Sequence, residues 1–258
     1  MKSDVLLVGD ENRVRTLTLN RPKQLNAFND DLYDACAAAL LEAASHSHIG
    51  AVIITGEGRA FSAGQDLGEL ASPPTHTDGK RHGFGMFMSA LESFPKPLIA
   101  AVNGIGVGIG LTMLPYCDIV MMSADARLRA PFVSLGVTAE AGSTYLLPAT
   151  IGWANTAHLL YTASWVDAEE AVRIGLARAV VNPQDLMRET RALAERIASM
   201  PVSSLVATKK LLVDARMDAV LAARTREEGV FGGLVGGPAN VEALLAFQEK
   251  READFSKL

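Results

Sequence analysis

The stretch Lys96–Leu128 reads KPLIAAVNGIGVGIGLTMLPYCDIVMMSADARL, and its interpretation decides the fold. From Pro97 to Cys117 it carries no charge and is long enough to cross a bilayer. Asn103, Thr112, Pro115 and four glycines interrupt that run, and Lys96 and Asp118 bracket it. A buried strand at Leu98–Val102 (LIAAV), a glycine loop and a short buried helix account for the interruptions, with a further strand at Ile119–Met122. Working outward, Ala51–Thr55 (AVIIT) is another continuous apolar strand. Such strands with helices between them predict a sheet covered on both faces.

The flanks extend the pattern. Asp4–Val8 and Val14–Leu19 read as strands around a hairpin turn at Gly9–Asn12. Asn29 or Asp30 caps a helix reaching about Ser45, with Leu32, Cys36, Ala39, Leu40 and Ala43 on one face. After about Glu140 the pattern turns helical. Asp167 and Glu170 resemble a capping box, Gly175 is a stop, Asn182-Pro183 opens a helix to about Ser199, and Pro201 and Pro238 open two more. The fold class is α/β, with a core at 1–195 and a helical region at 196–258.

The 258 residues suit one large domain, or one with an appendage. With 49% hydrophobic residues there is ample core, which excludes wholesale disorder. The net charge of −5, with no basic stripe, argues against a nucleic-acid partner. Two cysteines make no disulfide framework, the first ten residues hold no signal-peptide core, and no membrane partner is expected, so the chain reads as cytoplasmic. No metal is predicted: there is no CxxC, no Cys/His cluster and no H-x-x-x-H among the five histidines.

Three local features bear on chemistry. Gly104, Gly106, Gly108 and Gly110 fail the G-x-G-x-x-G spacing of a dinucleotide site. Ahead of a helix-like LTML, they suggest backbone N–H groups exposed to a ligand, although a turn and close strand packing alone require one or two of them. Ser62 lacks the G-x-S-x-G frame of a nucleophile, because position 60 is Ala, and Asp66 reads as an acceptor that fixes its loop. Glu140, from position alone, is either an acid/base or a first-turn helix residue favoured by the macrodipole.

Taken together, LNRPKQLNAF (Leu19–Phe28), AFSAGQDL (Ala60–Leu67), Lys96–Leu128 and LLAFQEKREADF (Leu244–Phe255) resemble the crotonase, or enoyl-CoA hydratase/isomerase, superfamily over nearly the whole chain. The resemblance implies a crotonase-like spiral of ββα units, a helical C-terminal trimerisation region, and a homotrimer or dimer of trimers. It also implies an acyl-CoA substrate, with coenzyme A part of that substrate and no separate cofactor. The thioester oxygen would rest on the N–H groups of Ala63 and Gly110.

By the same resemblance, Thr112 and Phe132 occupy the positions of the hydratase glutamates. PFVSLGVTAEAGSTYLLP (Pro131–Pro148) is similar to the Δ3-Δ2-enoyl-CoA isomerase branch, with Glu140 as its proton shuttle. A double-bond shift from 3-enoyl-CoA to 2-enoyl-CoA is therefore expected. Another CoA-thioester reaction, or a non-catalytic acyl-CoA binder, are the alternatives. Phe132, Leu135 and Tyr145 would form an apolar pocket that raises the basicity of Glu140. Gly64, Gln65, Asp66 and Leu67 would line the substrate site. Lys23, Gln24 and Leu25, with Phe247 and Lys250 from a neighbouring subunit, would surround the adenine end of the coenzyme.

Overall fold

The computed structural model describes residues 4–71, 76 and 82–258. Along the chain come β1 (Leu6–Glu11), β2 (Val14–Leu19), α1 (Asp30–Ser45), β3 (Ala51–Gly56), β4 (Ala60–Ser62), α2 (Leu67–Ala71) and α3 (Gly83–Ser93). Then follow β5 (Leu98–Val102), β6 (Ile105–Val107), α4 (Ile109–Thr112), β7 (Ile119–Ser123), β8 (Arg127–Arg129), α5 (Ser143–Ile151) and α6 (Trp153–Thr162). The chain closes with β9 (Val166–Asp167), α7 (Ala168–Arg173), β10 (Ala179–Val181), α8 (Leu186–Ala198), α9 (Val202–Leu234) and α10 (Pro238–Glu249).

From β3 to β8 successive strands alternate between two sheets, while β1 and β2 share one sheet and β8 and β9 the other. One sheet has the order β1-β2-β3-β5-β7-β10, and the other β4-β6-β8-β9. Each turn of the spiral thus lays one strand in each sheet, as the ββα expectation requires. Within the larger sheet only β1 runs antiparallel to its neighbour. Its central strands β3 and β5 are buried throughout because each face meets a different core. Val52, Ile54, Leu98 and Ala100 pack into the cluster with α1 and α3, whereas Ala51, Ile53, Ile99 and Ala101 meet Leu186, Ala194 and Ala198 of α8. The Pro97–Cys117 run is two strands, one in each sheet, followed by short helical turns. Among the described residues no single helix is long and apolar enough to cross a membrane.

Several expectations shift. The first hairpin turns at Asn12 and Arg13, both left-handed (φ 49° and 66°), while Gly9 lies inside β1 paired with Thr16. A two-residue turn with both central φ positive matches the strand twist, so the ladder runs right up to Glu11 and Val14. The helix expected from Asn182-Pro183 begins at Leu186, after a turn closed by the Asp185 N–H to the Asn182 carbonyl. The boundary expected at 195/196 falls inside α8, which lies against β3 and β5, so α9 is the first long helix beyond the sheet layers. Asn29 caps α1 and Asp167 caps α7 through side-chain oxygens, as anticipated.

The long helix is pinned to the sheet by buried cations. Lys209 Nζ donates to Asp118 Oδ2 and to the Lys96 carbonyl, each at 2.8 Å, and the same Asp118 oxygen accepts the Leu98 N–H at 2.7 Å. Lys96 Nζ donates in turn to the carbonyls of Ala43 and His46, and burial lowers its pKa. Lys209→Met leaves Asp118 and the Lys96 carbonyl without this donor. Stability should fall by about 3 kcal/mol, readable in urea unfolding.

Candidate functional site

A cavity of about 1210 Å³ opens between the loop after β4, the β6–α4 turn, the 131–141 segment and helices α9 and α10. Its wall is largely apolar: Tyr33, Phe84, Phe132, Leu135, Val137, Phe231 and Leu244 contribute. A small number of polar groups, Glu140 and Glu227 among them, reach it, the pattern of a ligand site.

The AFSAGQDL loop is held rigidly. Asp66 Oδ2 accepts from Arg21 Nη2 at 2.9 Å and its Oδ1 from the Gly68 N–H at 3.0 Å, which is the loop-fixing role expected for it. Ser62 is buried, donates to the Asn26 carbonyl at 2.9 Å and accepts from the Gly64 N–H, an arrangement of structure and not of a nucleophile. The amides along this loop are taken one after another. Ala63 donates to the Leu25 carbonyl (2.9 Å), Gly64 to Ser62 Oγ (3.2 Å) and Asp66 to the Phe28 carbonyl (2.8 Å). From Ala63 to Asp66 the Gln65 N–H is the one for which no acceptor is found among the described residues, and Gln65 is on the cavity wall. Ala63 was expected to supply a free donor; its engagement with Leu25 rules that out.

A parallel correction applies to Gly110. It is buried, and a Cβ built on it would sit 2.6 Å from the Ser62 carbonyl oxygen, so the glycine is there to let α4 approach β4. Ile109, the first residue of α4, is the one on the cavity wall, and its N–H makes no backbone hydrogen bond, as befits a first helical turn. Gly108 turns the chain into that helix with φ +54°. Ser62 and Gly106 are register partners in the β4–β6 pair, and Gln65 and Ile109 each stand three residues beyond them.

Glu140 also lines the cavity. Its Oε1 accepts a hydrogen bond from Thr112 Oγ1 at 2.6 Å; its Oε2 is buried with no partner. Removal from water pushes its pKa up from 4.5 to about 7, aided by the negative charge of Glu227 and opposed by the Thr112 hydrogen bond and by Arg224. A carboxylate that titrates near neutrality and keeps one oxygen open is equipped to take and return a proton. The Thr112 position therefore supports the base instead of supplying one. Phe132, at the other position where a hydratase carries glutamate, is a buried apolar wall.

Of the other expected residues, Gln24, Gly64, Leu67, Leu135 and Phe247 line the cavity. Lys23, Leu25, Tyr145 and Lys250 do not. Lys23 is exposed on a 3₁₀ turn, Leu25 turns its carbonyl to Ala63, and Lys250 is the left-handed cap of α10. Phe247 lines the cavity of its own chain. Sequence reasoning missed Tyr33, whose hydroxyl donates to Gln65 Oε1 at 2.8 Å, and Glu227, because both come from distant helices without a motif. Among the described residues no group of three His, Cys, Asp or Glu could hold a metal ion.

Two sheets, a glycine-rich β6–α4 turn and a carboxylate on a largely apolar cavity agree with the fold and site that the family resemblance implies. The chain belongs to the enoyl-CoA hydratase/isomerase family, whose profile, described as Enoyl-CoA hydratase/isomerase, matches residues 9–257. It is 33% identical to a short-chain-enoyl-CoA hydratase of Clostridium acetobutylicum over 98% of both chains. It is also 33% identical to a 1,2-epoxyphenylacetyl-CoA isomerase of Escherichia coli, over 95% of this chain and 96% of the other. Among solved structures, an enoyl-CoA hydratase/isomerase from Pseudoalteromonas atlantica superposes with a TM-score of 0.94 at 36% identity, covering 97% of this chain and 99% of that one.

Proposed function

We propose that this family member is an enoyl-CoA isomerase that converts 3-enoyl-CoA into 2-enoyl-CoA with Glu140 as its only acid/base. The observation that carries the reading is the open, buried Oε2 of Glu140 on a cavity wall where positions 112 and 132 offer no carboxylate. Oε2 takes a proton from C2. The electron pair of that C–H bond spreads through the thioester and the C3=C4 bond, leaving negative charge on the carbonyl oxygen. The Gln65 and Ile109 N–H groups are the proposed donors to that oxygen, in place of Ala63 and Gly110. Glu140 then returns the same proton to C4 as the double bond settles between C2 and C3. The cycle balances with one base and consumes no water, metal or redox group.

Most of the curated relatives carry hydratase names. Hydration needs a second group to hold and deprotonate water, and neither Thr112 nor Phe132 can be that second carboxylate. The Escherichia coli isomerase among the relatives is consistent with the alternative chemistry. Incubation with 3-hexenoyl-CoA should give 2-hexenoyl-CoA, whereas 2-hexenoyl-CoA should gain water slowly or not at all. Hydration faster than isomerisation would overturn the reading. The coenzyme portion of the substrate is proposed to leave the cavity past Gln24 and Phe247.

A homotrimer or dimer of trimers is proposed as the working assembly. Leu211, Leu212, Val230 and Val235 on or beside α9 stand exposed in the single chain, which favours their burial between copies. Light scattering at micromolar concentration should return three or six chain masses; a monomer mass would reject the assembly.

A further inference from the structure

The segment that carries Glu140 is held in an unfavourable backbone conformation by one side chain from far along the sequence. Ala141 and Gly142, immediately after Glu140, are both left-handed, with φ of +62° and +69°. For Ala141 that region brings Cβ against the chain, so the conformation persists only if its surroundings impose it. The imposing group is Glu227 of α9, a buried carboxylate that lines the same cavity. Its Oε2 accepts the Gly142 N–H at 2.6 Å, and its Oε1 accepts both the Thr144 N–H at 2.8 Å and Thr144 Oγ1 at 2.5 Å. The Tyr116 hydroxyl, donating to the Ala141 carbonyl at 2.7 Å, is a second tether of the turn. Gly142 lacks the Cβ that would lie 3.0 Å from both Tyr116 and Val220, which allows α9 to come close enough for Glu227 to reach.

We infer that Glu227 is a positioning residue for the reaction: by clamping the Ala141–Gly142 turn to α9 it aims the free carboxylate oxygen of Glu140 at the substrate. Both of its oxygens are occupied by that clamp, so it is not itself a base in the resting site. The inference rests on the proposed role of Glu140. Its surroundings make a second contribution. The groups acting on Glu140 are the Thr112 hydroxyl of α4 and Glu227 and Arg224 of α9; Tyr33 of α1 and Tyr116 in turn feel its charge. Arg224 is itself paired with Glu92 and Glu228. Of these, Glu227 is the like charge, and it favours the protonated form of Glu140.

Glu227→Gln keeps the shape but turns an amide N–H₂ toward one of the clamped donors and removes the charge. Wild type, Glu140→Gln, Glu227→Gln and Thr144→Val are compared by isomerisation of 3-hexenoyl-CoA across pH and by deuterium uptake at its C2 in D₂O. For Glu227→Gln the expected result is a roughly tenfold lower kcat with KM within about twofold, and an acid limb of the pH profile moved to lower pH. Thr144→Val, which keeps both backbone bonds and loses only the hydroxyl, should show a smaller loss of kcat in the same direction. It also serves if Glu227→Gln does not fold. A Glu227→Gln or Thr144→Val protein with wild-type kcat and an unmoved acid limb overturns the positioning role while leaving Glu140 as base. Wild-type exchange in Glu140→Gln overturns the base, and this inference falls with it.

Discussion

Glu140→Gln should lower kcat for 3-hexenoyl-CoA by about 10²–10⁴-fold at pH 8, with KM changed by no more than a few-fold. Glutamine keeps the size of the side chain and an oxygen for the Thr112 hydroxyl, which holds Oε1 at 2.6 Å. It has no lone pair basic enough to take a C2 proton at neutral pH. In the wild type, activity should rise with pH through about 7, because the ionised carboxylate is the proposed base and burial raises its pKa to that value. The same shift sets a stability trend. A carboxyl that titrates at 4.5 in the unfolded chain and about 7 in the folded one is most favourable to folding below the lower value, and that contribution is lost as pH rises through the upper one. At pH 8 the buried charge therefore weakens the fold by something on the order of 3 kcal/mol, and Glu140→Gln should melt above wild type there and not at pH 4. Undiminished turnover, or a flat profile between pH 5 and 8, contradicts the assignment.

Gly110→Ala should be nearly as damaging to activity without touching a reacting group. The added methyl would lie 2.6 Å from the Ser62 carbonyl oxygen and 3.1 Å from its Cβ, both on the short strand β4. Neither neighbour is the end of a flexible side chain, so α4 has to move, and the Ile109 N–H moves with it. Loss of one well-placed amide costs about 10²-fold or more in kcat, and overpacking costs about 1–3 kcal/mol of stability. Gly85→Ala in α3 is the matched control. A Cβ there meets nothing within 4 Å, so helix stability should rise slightly and turnover stay level. Turnover of Gly110→Ala equal to wild type would remove Ile109 from the proposed pair of donors.

The strands of the larger sheet were legible because burial on both faces leaves an unbroken apolar run, as in AVIIT and LIAAV, that little else produces. The hairpin turn was misplaced because Gly9 looks like a turn residue while Arg13 does not, although the backbone puts the left-handed φ on Arg13. In the site, the glutamate and the two loops could be found from motif order. The donors could not be assigned to single residues, because counting along a motif does not reveal which amides already have acceptors. Ala63 loses its availability to Leu25, 38 positions earlier in the chain, and nothing in AFSAGQDL signals that contact. Glu227 is the extreme case: it meets Gly142 across 85 positions, in a helix whose sequence reads as an ordinary mixture of charged and apolar residues.

The register pair Ser62–Gly106 carries a consequence for how such a protein diversifies. Gln65 and Ile109 hang from opposite rails of one short ladder, each three steps past that rung. Their separation is therefore dictated by hydrogen-bonded backbone and owes nothing to the length of the segment connecting the two strands. Side chains of the cavity wall at Phe84, Leu135, Phe231 and Phe247 can change character without altering the ladder that spaces the two amides. On the proposed reading, the grip on a thioester oxygen is thus set by the ladder, apart from the wall that meets the acyl chain and from the segment that carries the base.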